Sequence, residues 1–114
     1  MDSILTSIKK LLGIDSAYTH FDTDIIIHIN SVFTILNQLG VGPTDGFSIT
    51  GDSEVWSEFL TNPQKIEFVR TYVYLKVRLI FDPPTSSAVI EAINRTINEL
   101  EWRIMVAVDP VEEP

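Results

Sequence analysis

No cysteine occurs among the 114 residues. Disulfides, thiolate zinc sites, iron–sulfur clusters and cysteine nucleophiles are therefore excluded, and the redox compartment stays open. Positive charge is also scarce. Lys and Arg number 8 against 16 Asp and Glu, for a net charge of −8. Neutralising phosphate needs a basic surface, so the balance argues against wholesale nucleic-acid binding and against an anionic membrane surface. No apolar run approaches the roughly 20 residues of a membrane span. A secretory signal is not expected either, because Asp2 is acidic and Lys9 and Lys10 follow the first apolar residues instead of preceding them. Nucleotide and hydrolase signatures are missing too. No serine sits in a Gly-x-Ser-x-Gly elbow, and no Gly-Lys-Ser/Thr follows the glycines at 40, 42, 46 and 51. There is no repeat of solenoid period and no low-complexity tract.

What is present is globular. Hydrophobic residues make up 45% and charged residues 21%, enough to bury about two-thirds of the unfolded surface in one domain. A soluble intracellular protein is expected. The pattern is helical throughout. Over 2–12, Ile4, Leu5, Ile8, Leu11 and Leu12 recur on one helix face. Asp2 or Ser3 caps that helix, and Gly13 stops it. Over 22–39, Ile25, Ile29, Val32, Leu36 and Leu39 share a face. Asp22 is the predicted N-cap, Asp24 favours the macrodipole, and Phe21 and Ile26 form a hydrophobic staple. Gly40 and the Gly42-Pro43 pair end it.

Residues 41–62 read as an irregular loop. Within it, Phe47-Ser48-Ile49-Thr50 alternates like a short strand. Asp52 or Ser53 can cap one turn holding Val55, Trp56, Phe59 and Leu60. A loop this long is expected to be functional or partly mobile. Asn62-Pro63 opens a helix to about Phe81. It is apolar on two opposed faces, Ile66, Val69, Val73, Val77 and Ile80 on one and Phe68, Tyr72, Leu75 and Leu79 on the other. Such a helix is central in its domain or packs on a neighbouring subunit. Asp82-Pro83-Pro84 breaks it. Thr85, Ser86 and Ser87 offer caps for a last helix to about Val106, with Val89, Ile90, Ile93, Ile97, Leu100 and Ile104 as its core stripe. The fold class is all-α: a small bundle of about four helices with one long loop, a single domain over 1–108, and an acidic tail over 109–114 expected to be disordered.

Candidate chemistry is thin. His20, Asp24 and His28 follow i, i+4, i+8 spacing, a metal-capable set. His20 precedes the helix, however, so a loop histidine and a boundary histidine are the plainer reading. Carboxylate pairs such as Glu99/Glu101 and Glu54/Glu58 fall where solvated faces put them. No catalytic residue, metal ligand or cofactor is assigned. Surface candidates are more informative. The 63–81 helix carries Lys65, Arg70, Lys76 and Arg78 against only Glu67. Acidic neighbours in the same bundle, or an acidic face of another subunit, would answer that charge. Trp102 lies about 180° from the 93/97/100/104 stripe, on the side of Glu91, Arg95 and Asn98. Ile27 stands opposite the core face of its own helix. A tryptophan with arginine outside a complete core stripe marks an interface; packing beneath the 41–62 loop is the alternative. The interface candidates are Trp102, Arg95, Ile27, Lys76, Arg78, Tyr74 and Trp56.

The order of segments resembles one family. A short N-terminal helix is followed by an Ile-rich helix over 22–39 and a loop. Then come Thr71-Tyr-Val-Tyr-Leu-Lys-Val-Arg-Leu-Ile-Phe81, the Asp82-Pro-Pro-Thr-Ser-Ser87 break and a last helix with Glu99-Leu-Glu-Trp-Arg103. This is similar to the small head–tail connector, or head-completion adaptor, proteins of tailed bacteriophages and prophages. The resemblance implies a helical virion protein without catalytic activity, made in the host cytoplasm. It also implies a homo-oligomeric ring between the portal protein and the next connector or tail-completion protein. DNA passes through such a ring without specific binding. By that analogy 88–108 would face the portal and 41–62 the next partner. An acidic helical interaction or regulatory module, covering a basic partner protein, is the alternative.

Overall fold

The computed structural model describes residues 3–108. The expected tail over 109–114 lies outside them. In chain order the helices are α1 (Ile4–Leu12), α2 (Asp22–Gln38), α3 (Trp56–Phe59), α4 (Pro63–Phe81) and α5 (Ser87–Val108). The all-α expectation holds. The turn anticipated around Trp56 is α3, so the described residues hold five helices where four and a turn were expected.

Local chemistry sets most of the ends. At the start of α1, Ser3 Oγ accepts from the Thr6 N–H at 3.0 Å. Gly13 closes that helix in the left-handed region at φ 82°, with its N–H on the Lys10 carbonyl. Asn62 Oδ1 accepts from the Gln64 and Lys65 N–H groups, and Pro63 fills the first helical position. The start of α2 corrects the prediction. Asp22 is its first residue rather than its cap, and Phe21 precedes it without a side-chain capping bond. The Asp22 carboxylate is drawn elsewhere, to the buried Lys9 ammonium 2.7 Å away. Phe21 turns edge-on to Phe81, ring centres 5.3 Å apart.

Lys9 itself is 2% exposed. Its ammonium donates to the carbonyls of Tyr18 at 2.7 Å and Ser16 at 3.2 Å. One side chain thus ties the end of α1, the 13–21 connection and the first turn of α2. A buried ammonium is tolerated only when paired in this way.

A single hydrophobic cluster joins all five helices. α4 is at its centre, packing on α5, α2 and α1 and burying Val69, Tyr72, Val73 and Val77. The expectation of a central helix holds. Ile80 departs from it, at 56% exposed. α5 buries Ile97, Leu100 and Ile104 but leaves Val89 exposed, so its expected stripe is covered only toward its C-terminal half.

The 41–62 segment is a core supplier. Val41, Ile49, Trp56 and Phe59 are buried. The 47–50 alternation is real for the side chains, yet no partner strand pairs with it. Asn30 replaces the strand, accepting from the Ile49 N–H at 2.7 Å and donating to its carbonyl at 2.9 Å. Among the described residues β-pairing is confined to one antiparallel bridge, Ser3 with Val55. Phe33 of α2, outside the predicted face, packs against Phe47, Trp56 and Phe59 with ring centres 4.7–6.2 Å apart. Gly42 makes this closure possible. A Cβ there would stand 2.3 Å from the Phe59 ring, at a φ of +88°.

Candidate interaction surfaces

Among the described residues the most exposed large apolar side chain is on α5. Trp102 points away from the buried Ile97, Leu100 and Ile104 and is 65% exposed, which rules out packing beneath the 41–62 loop. Met105 and Val106 follow at i+3 and i+4 and are exposed as well. Arg95, about two turns before Trp102, is exposed on the same side. An exposed ion pair, Arg103 with Glu99 at 2.8 Å, flanks the patch. Met105 and Val106 were absent from the sequence-derived set. Their offsets from Trp102 were the signal that could have found them. Ile27, 55% exposed, belongs to α2.

The basic helix is partly answered from within. Arg70 pairs with Glu67 at 2.7 Å, and Lys76 lies 3.9 Å from Glu101 of α5 and 5.7 Å above the Tyr72 ring. Arg78 donates to the Tyr74 hydroxyl at 3.0 Å. Tyr74 and Arg78 therefore form a half-buried polar pair on one side of α4, and Lys76, also half-buried, lies on the opposite side toward α5. Trp56 sits in the core at 4% exposure, its indole N–H donating to Ser7 Oγ at 2.8 Å.

Two titrating groups have shifted affinities. Burial pushes the Tyr72 phenol well above its ordinary range, and its 2.7 Å hydrogen bond to the Glu101 carboxylate adds to the effect. At Glu54, desolvation favours the protonated acid but is outweighed. Hydrogen bonds from the Thr50 N–H and hydroxyl, both 2.9 Å, hold the carboxyl below its usual value.

His20, Asp24 and His28 do not gather. His20 is exposed before α2, with its ring against Tyr18 and Phe21, while Asp24 is exposed within the helix. Among the described residues no group of three or more His, Asp or Glu side chains is placed to hold a metal ion. No described helix is long and apolar enough to cross a membrane.

Fold and surface define an all-helical protein with an apolar helix face turned outward. The family model of phage connector proteins matches residues 4–111. The chain belongs to that family, and with it to the structural proteins of the phage head–tail connection. Comparison with curated proteins and with solved structures gives no match.

Proposed function

We propose that this chain is a ring-forming adaptor, without catalytic activity, set between the portal and the tail or the next connector, where it lengthens the DNA channel. The supporting observation is the Trp102, Met105 and Val106 patch on α5, turned away from a helix face that is already buried. A ring requires heterologous contacts, one patch meeting a different patch on the next subunit. The α5 patch supplies one side, and the Tyr74–Arg78 pair or Lys76 on α4, or Ile27 on α2, supplies candidates for the other. A net charge of −8 suits a conduit that must let DNA slide, since an acidic lumen does not hold phosphate.

The test is a pull-down with the portal and neighbouring virion proteins, with native mass of the products. A ring-sized stoichiometric complex is expected. Trp102→Ala should leave the monomer folded and weaken each subunit contact by about 30-fold or more, the threshold of an interface hot spot near 2 kcal/mol. Unchanged assembly, or a collapsed monomer, refutes the role given to Trp102. Binding to no virion protein refutes the adaptor.

A further inference from the structure

α5 is held through one neighbour. Among the described residues it packs on α4 and at most marginally touches the other helices, whereas α1, α2 and α4 pack on one another without it. No residue over 87–96 is buried. The grip comes from Ile97, Leu100 and Ile104 further on. The Glu101 carboxylate adds to it, accepting from the Tyr72 hydroxyl at 2.7 Å and lying 3.9 Å from the Lys76 ammonium. The link back to α4 is Asp82-Pro-Pro-Thr-Ser86. Asp82 and Pro83 each precede a proline, which disfavours the helical region and leaves extended backbone. Two such residues in so short a link stiffen it and favour a straight course over a fold back. Ile80 and Val89, on either side of the link, are 56% and 44% exposed.

We propose that α5 is exchanged between two copies of this chain. It swings out about the 82–86 link and lays Ile97, Leu100 and Ile104 on α4 of a second copy, which returns its own α5. Glu101 of one copy then meets Tyr72 and Lys76 of the other. The vacated α4 face is shaped to α5, so the occupant that fits it is another α5. Every contact of the closed chain is remade between copies, and the cost is chiefly that of bringing the two together. That cost is offset at the links. They pass side by side in the pair, and Ile80 and Val89 of both copies cover one another there, removing apolar surface that a single chain leaves in water. The outward Trp102 patch is untouched by the exchange. The inference concerns the isolated chain and does not rest on the adaptor role.

The test follows one contact across copies. Isotope-labelled and unlabelled chains are mixed in urea, refolded together at high protein concentration and separated by size. A carbodiimide then joins amines to carboxylates in contact, and mass spectrometry reads the Lys76–Glu101 link, whose charged groups lie 3.9 Å apart. In the dimer fraction about half of these linked peptides should carry one labelled and one unlabelled partner, as random pairing of two chains requires, and in the monomer fraction none. Replacing Pro83 and Pro84 together by Ala should lower the dimer fraction severalfold, because the link then folds back more readily. A dimer whose linked peptides are all unmixed is a surface contact and overturns the proposal. Refolding to monomer alone overturns it too, as does exchange indifferent to the two prolines. Each of these failures leaves the adaptor reading standing, since that reading is tested by binding to virion proteins.

Discussion

Replacing Lys9 by Met keeps the length and apolar stem of the side chain and removes only its ammonium. Three partners are then stranded: the Ser16 and Tyr18 carbonyls, at 3.2 and 2.7 Å, and the Asp22 carboxylate at 2.7 Å. Removing one member of a buried pair costs about 3–5 kcal/mol. The Asp22 side chain keeps 25% of its surface in water, so the low end applies, about 3 kcal/mol. For a chain of this size that is a fall in Tm of roughly 10–15 °C. In urea it is a fall in midpoint of about 2 M for a slope near 1.5 kcal/mol/M. Asp22→Asn should cost a comparable amount, about 3 kcal/mol, because it leaves the Lys9 ammonium, 3% exposed, buried without its counter-charge. The double variant should cost less than the two single costs added together, since the partners share one interaction. Urea titrations of the four proteins, followed by circular dichroism, measure all of this. A Lys9→Met midpoint indistinguishable from the parent would refute the idea that this lysine holds α1, the 13–21 connection and α2 together.

Two further outcomes follow from other parts of the structure. Tyr72 binds its proton more tightly folded than unfolded, so its contribution is whole below the ordinary tyrosine range and is lost as pH climbs above about 10. Tyr72→Phe should flatten that alkaline limb in a pH series of thermal melts and cost about 1.5 kcal/mol at neutral pH through the lost bond to Glu101. Gly42→Ala should cost well over 2 kcal/mol, since its Cβ meets Phe59 at 2.3 Å, whereas Gly46→Ala, with its nearest contact 4.0 Å away, should cost only the left-handed penalty of about 1–2 kcal/mol.

Helix ends that depend on neighbours in sequence were legible. Ser3, Gly13, Asn62-Pro63 and the Asp82-Pro83-Pro84 break all act within a few residues of themselves. The misread cap at Asp22 shows the limit, because its true partner, Lys9, is 13 residues away in sequence and buried by the fold. Periodicity placed the stripes on α2, α4 and α5, but it carries no information about where a neighbour ends. Ile80 and Val89 obey the pattern and stay exposed, while Phe33 sits off the pattern and is buried by the loop. Trp102 was legible because its angle to a complete stripe left it no interior to enter.

The long-range ties of α1 set an order of events during folding. Its partners are late in the chain: the Ile4 N–H donates to the Glu54 carbonyl, and Ser7 receives the Trp56 indole across 49 residues. A nine-residue helix has little stability alone. α1 therefore waits for α3, which is synthesised after it, before it can settle. Until then its apolar face, Ile4, Leu5 and Ile8, has no complete seat, so α1 and α3 settle together.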